Sequence, residues 1–320
     1  MEAPSVYRST EPHYLAVLGM ILLLNPLGSA FAFTPDLHSA YALKAAQAYK
    51  TCAGVELPAQ LSEALAGGAR AEDSSLSTLF QRITNWHFYN RNNMLKSFWF
   101  FNRNQDVIFT KRTEKLDRLL EDPNADSAKV YKQAGRVLHY IQDMSVPGHA
   151  VPVYHAKLPG NDPDPFDDFE SIEALPVFGL SEMQCQELRD EIGKADASPR
   201  HFLNDAATAT LQVIEQIDPA GNPIVDGAWK AYWVYPASDP DEARKGWGEY
   251  GICAFSREVE KVGCKSEEEL VALFEQQSQQ ALKSSVLMLL YLQKRLADAR
   301  EKMPTQERVT SAGSPALPQH

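Results

Sequence analysis

The chain has 320 residues, 44% of them hydrophobic and 10% aromatic, enough for one substantial core and too apolar for disorder outside the ends. Acidic residues (42) outnumber basic ones (31), for a net charge of -11. That balance argues against duplex nucleic-acid binding through backbone electrostatics, although bound cations would still allow chemistry on phosphodiesters.

The N-terminus reads as an address. Tyr14–Leu24 (YLAVLGMILLL) is too short an apolar run for a membrane span and is broken by Asn25 and Pro26. GSAFA follows, with Ala30 and Ala32 in an A-x-A arrangement, so cleavage after Ala32 and export to the periplasm or the outside are expected. Arg8 is the only basic residue of a weak n-region, and no Cys follows the run to support lipoprotein processing.

From there the sequence reads as helix after helix. Asp36–Tyr49 is alanine-rich, and Ser75–Trp86 carries Leu76, Leu79, Phe80 and Ile83 at helical spacing. Thr113–Leu120 and Ser127–Met144 follow, the latter with Ser127 as candidate N-cap and Val130, Ala134, Val137, Leu138 and Ile141 on one stripe. Ser181 with Gln184 has the form of a capping box. Ser198 with Pro199 opens a helix to Ile217, and Ser266 with Glu269 opens the last and longest. No convincing strand pattern or internal repeat is present, so the expected fold is all-α, a single domain spanning 33–300.

Two stretches interrupt the helices. Pro159–Pro165 is a loop by composition, and Pro219–Ala254 is rich in Gly, Pro and aromatics (Trp229, Tyr232, Trp233, Tyr235, Trp247, Tyr250). Those aromatics either cap one end of the bundle or form a surface for a choline headgroup, a bilayer or a base. The tail from Glu301 lacks apolar periodicity and is expected to be disordered. None of the four cysteines forms a CxxC pair. Export would permit Cys253–Cys264 and Cys52–Cys185 disulfides, with buried free thiols as the alternative.

The chemistry concentrates in Gly135–His155, GRVLHYIQDMSVPGHAVPVYH, which holds the pattern H-x3-D-x5-H. A four-residue spacing puts His139 and Asp143 one turn apart on one helix face, where both can reach one metal ion. Pro147 would end the helix and Gly148 let the chain turn, bringing His149 back toward the same cavity. The bland alternative is a surface His–Asp pair with a stray His beyond it. Other candidate ligands accompany the motif. His38 lies five residues after Phe33, whose freed α-amine and carbonyl would be able to chelate a metal. His87, in NWHFYN, ends the helix expected to start just after Asp73.

In order and spacing, this set resembles the zinc-dependent phospholipases C and single-strand-specific zinc nucleases. That all-helical family holds three zinc ions at the bottom of a cleft. The resemblance spans Phe33 to Glu170: FTPDLH gives Phe33 and His38, Asp73 is followed fourteen residues on by His87 in HFY, and HYIQDMSVPGH gives His139, Asp143 and His149. It implies Asp143 as a bridging carboxylate, with His87 and His139 completing one zinc site and Phe33 with His38 another. His149 with Glu170 and Asp167 would hold the third ion, and Asp73 would be a ligand or the general base that orients the attacking water. Two departures stand out: Phe33 replaces the usual Trp, and Phe166 occupies the place of the third site's His, leaving Asp167 or His155 as substitutes or the third site weak.

The stretch after His149 lacks the Gly- and Asn-rich character of the nuclease branch, and HYIQDMSVPGHA reads closer to the phospholipase C branch. The resemblance therefore implies hydrolysis of the glycerol-side phosphodiester of a phosphatidylcholine-type lipid, with transient contact to a membrane surface. Two alternatives are a single-strand-specific nuclease and a secreted helical protein that binds zinc without catalysis.

Overall fold

The computed structural model describes residues 35–74, 89, 105–153, 166, 179–235, 248–253 and 263–302. The described residues hold eight helices: α1 (Pro35–Ala53), α2 (Ala59–Ser74), α3 (Asp106–Glu121), α4 (Ser127–Asp143), α5 (Pro147–Ala150), α6 (Glu182–Gly193), α7 (Pro199–Val213) and α8 (Glu267–Lys302). The only sheet among them pairs β1 (Trp233–Val234) with β2 (Glu249–Tyr250), antiparallel, with Trp233 opposite Tyr250. The all-α class expected from the sequence is therefore the class found. No described helix is long and apolar enough to cross a membrane.

Local chemistry explains most helix ends. Ser181 and Gln184 make the reciprocal capping box at α6. Ser198 accepts from the His201 N–H with Pro199 at the first helical position of α7. At α8, Ser266 N–H donates to Glu269 Oε2 and Glu269 N–H donates to Ser266 Oγ. Other ends differ from expectation. Asp126, not Ser127, caps α4 by accepting from the Ala128 N–H. The same helix stops at Asp143, and Pro147 opens α5 rather than ending α4. Similarly α7 stops at Val213 instead of Ile217, because Glu215 turns to φ 52° and the Gln216 N–H bonds back to the Leu211 carbonyl. The expected helix Ser75–Trp86 lies outside the described residues, as do the expected leader, the loop Pro159–Pro165 and residues 303–320.

Two apolar clusters fill the interior. One joins α1, α2, α3, α4, α6, α7 and the C-terminal half of α8. The other gathers Leu37, Tyr41, Val146, Val151, Leu211, Ile214, Trp233 and Phe274 around α5 and the N-terminal half of α8. The aromatic loop belongs to this second core: Tyr232, Trp233 and Tyr235 are buried. Trp229 already has a cation over its ring, with Lys265 Nζ at 5.4 Å from the centroid. Packing thus accounts for Tyr232, Trp233 and Tyr235, while Trp229 and Tyr250 pack against the same cluster only partly buried and Trp247 lies outside the described residues. Cys52–Cys185 ties α1 to α6 and Cys253–Cys264 ties the β2 turn to the start of α8, leaving no free cysteine.

The tightest helix contact is α2 against α4, and two glycines create it. A Cβ on Gly68 would sit 2.1 Å from the Lys132 carbonyl oxygen, and a Cβ on Gly135 would sit 2.0 Å from that of Leu65. Only hydrogen at these positions lets the two backbones approach so closely. Beside the contact, Glu72 is buried and accepts from Arg112 Nη2 (3.0 Å), Arg136 Nη1 (3.0 Å) and Tyr140 OH (2.7 Å). Burial and the Glu72 carboxylate push the Tyr140 hydroxyl well above its ordinary pKa, so it stays a donor. This network locks α2, α3 and α4 immediately next to Asp73.

Neighbouring glycines in α2 should respond with opposite signs to the same change. A Cβ on Gly67 meets nothing within 4 Å, so Gly67→Ala should stabilise by about 0.5–1 kcal/mol through helix propensity. Gly68→Ala should destabilise by about 2 kcal/mol or more through overpacking. Denaturant midpoints of the two variants, measured side by side, check the close approach.

Candidate metal centre

Three helices deliver four groups to one buried spot. The N-terminal turn of α1 carries His38, the last turn of α2 carries Asp73, and the last turn of α4 carries His139 and Asp143. Both imidazoles and Asp143 have no exposed surface, and Asp73 is also buried. The site lies at the seam of the two apolar clusters, since Leu37 and Val146 belong to one while Ala42 and Met144 belong to the other.

The distances describe a small polyhedron. His38 Nε2 lies 3.3 Å from Asp143 Oδ1 and 3.7 Å from Asp73 Oδ2. His139 Nε2 lies 3.4 Å from Asp143 Oδ2 and 3.6 Å from Asp73 Oδ1. The two rings lie 4.1 Å apart between centroids, tilted by 40°. Each carboxylate therefore turns one oxygen toward each imidazole. These four edges run from the two imidazole nitrogens to both oxygens of each carboxylate and measure 3.3–3.7 Å, so a cation among them would meet nitrogen and oxygen donors together. His38, Asp73 and His139 meet as a mutual group of ligand atoms, with Asp143 adjoining both histidines. An all-imidazole and carboxylate set suits zinc. The residues present fit a metal ion.

Charge points the same way. Two carboxylates buried together repel each other and lose hydration, so a positive partner must share the cavity. Burial pushes the His38 imidazole down, but hydrogen bonding and charge from Asp143, the charge of Asp73 and the Gln142 acceptor outweigh it and hold the pKa above the ordinary value. A protonated imidazole offsets part of the negative charge in the metal-free protein, and a dication would offset all of it.

Of the remaining sequence-derived candidates, His149 is fully buried on α5 and its backbone carbonyl accepts from the Tyr89 N–H at 3.1 Å. It is not a member of the ligand group formed by His38, Asp73 and His139. Phe33, His87, Asp167, Glu170 and His155 lie outside the described residues. Sequence reasoning overlooked Glu72, which braces the helix turn that bears Asp73, and Gln142, which touches His38. Nothing local marks Glu72 because its arginines come from other helices, whereas Gln142 stands on the same helix face as His139 and was open to inspection.

A second, more exposed group brings Glu191 and Asp205 within 3.0 and 3.1 Å of His201 Nε2. Lys194 and His201 together hold the Glu191 carboxyl below its usual range, so charge pairing explains this cluster.

Comparison of the chain with protein-family models, with curated proteins and with solved structures returns no match in any of the three.

The raised His38 pKa sets a pH dependence. Its contribution to the stability of metal-free protein is fully present below the unfolded value of about 6.5 and is lost as pH rises through the folded value. Metal-free protein should therefore lose stability as pH rises above about 6.5, read as a falling guanidinium midpoint. Zinc-saturated protein should run the other way, because protons compete with the metal for imidazole.

Proposed function

We propose that this chain is an exported, zinc-dependent phosphodiester hydrolase of the phospholipase C type. It would cleave phosphatidylcholine-like lipids to diacylglycerol and a phosphorylated headgroup. The observation that carries the reading is the buried ligand group of His38, Asp73 and His139, with Asp143 at 3.3 and 3.4 Å from the two histidines. Three further points support it. His139 and Asp143 stand one turn apart on a buried helix face, as the motif requires. HYIQDMSVPGH is worded like the phospholipase C branch. Two disulfides suit an oxidising compartment outside the cytosol.

Zinc held there would supply Lewis acidity toward a phosphoryl oxygen and a water acidic enough to attack near neutral pH. The chain's own part is to position and to manage protons. Asp143 presents one oxygen to each histidine and so suits the role of a bridging carboxylate. Asp73 has the same divided geometry and would serve as a ligand or as the base that orients the attacking water. Phe33, His87, His149, Asp167 and Glu170 would complete further sites in a three-zinc arrangement. The acidic surface then poses no obstacle to a phosphate substrate, since the ions provide the attraction.

Protein beginning at Phe33 and loaded with zinc should release phosphocholine from phosphatidylcholine vesicles, and a chelator should abolish the release. Asp143→Asn should lower the rate by more than the about 10–100-fold typical of outer-shell changes at metal sites. Residues added before Phe33 should cost activity without unfolding the protein, because the α-amine would no longer be free. Cleavage of single-stranded DNA or RNA with intact lipid would favour the nuclease branch. Bound zinc with neither activity would favour a non-catalytic role.

A further inference from the structure

We infer that Gln142 is a positioning residue that fixes the tautomer of His38, and that its own orientation is dictated from α8. The inference rests on the metal reading of the site and extends it to residues outside the ligand set.

One group in this chain of contacts has a fixed polarity. The Ala281 carbonyl can only accept, and Ser285 Oγ donates to it at 2.7 Å. A hydroxyl has one proton, so Ser285 must accept from its other neighbour. That neighbour is the Gln142 side chain, at 2.9 Å, which must therefore turn its NH2 toward Ser285. The amide's oxygen then faces the other way, 2.8 Å from His38 Nδ1. A carbonyl oxygen only accepts, so Nδ1 carries the proton. Nε2, the nitrogen facing Asp73 and Asp143, is left as the ligand atom.

Burial makes the polarity costly to reverse. Gln142, Ser285 and His38 are all inaccessible to solvent, so no water can replace a mismatched partner. Flipping the amide would set NH2 against an imidazole N–H and oxygen against a hydroxyl already committed to Ala281. The relay crosses 143 residues of sequence between Gln142 and Ser285, joining the longest helix to the metal-facing turn of α1. Outer partners of this kind hold a ligand histidine in orientation and raise its basicity.

Three variants test it in zinc-loaded protein, with zinc affinity read by chelator competition and the His38 ring read by 15N NMR. Gln142→Leu removes the acceptor and should weaken zinc binding about 10–100-fold. It should also abolish the low-field hydrogen-bonded Nδ1 proton of His38. Gln142→Glu keeps an acceptor for Nδ1, so the low-field proton should return, while its second oxygen faces Ser285 in place of the NH2 and zinc affinity should stay below wild type. Ser285→Ala keeps the volume of Gln142 but frees its amide to rotate; it should weaken zinc binding about 10-fold and shift the ring signals. That variant serves if Gln142→Leu fails to fold. Wild-type affinity and an unchanged Nδ1 proton in Gln142→Leu and Ser285→Ala would overturn the relay while leaving the metal centre standing. A wild-type protein that takes up no zinc would overturn the metal reading itself.

Discussion

Asp73 and Asp143 share one dry cavity, and the surrounding structure answers the cost of keeping them there. Two carboxylates out of water need positive charge at close range, or one must take up a proton. The chain surrounds them with two imidazoles, each within 3.3–3.7 Å of both carboxylates. A protonated His38 offsets the charge in part, and a divalent cation would complete the neutralisation. A cation placed here would relieve the repulsion that the two carboxylates otherwise share.

Bringing those groups together takes a rigid frame. Asp73 ends α2, and its place depends on how closely α2 can lie on α4. Gly68 and Gly135 remove the side chains that would hold the backbones apart, and the Glu72 network clamps the same corner with two arginines and a tyrosine. From the other side, α1 is held to α8 through the hydrogen bond between Tyr41 OH and Ser278 Oγ and through the His38–Gln142–Ser285 relay. His38 is thus fixed both along its own helix and by a partner from another one.

Much of this was legible in the sequence. Amphipathic spacing and caps gave the helices, because those signals are local, and the H-x3-D pattern gave one face of the site because helix geometry converts spacing into direction. The α2 helix left no such trace. Its AQLSEALAGGARAEDS is poor in large apolar residues, and paired glycines read as a turn, whereas Gly68 serves a close helix contact. The end of α7 was overshot because Ile214 and Ile217 continue the apolar pattern through a chain that has already turned at Glu215. The aromatic loop was ambiguous for a similar reason, since composition cannot distinguish a ring packed in a core from one presented to a ligand. Glu72 and Ser285 were invisible because their partners are 40 or more residues away.

The proposed zinc site rests on His38, Asp73 and His139, with Asp143 beside both histidines. X-ray absorption at the zinc edge of zinc-loaded protein tests it most directly. A nitrogen and oxygen shell at about 2.0–2.1 Å is expected, with the outer scattering of coordinated imidazole and no sulfur. A shell without imidazole, or a scatterer at the about 2.3 Å of a thiolate, would contradict it.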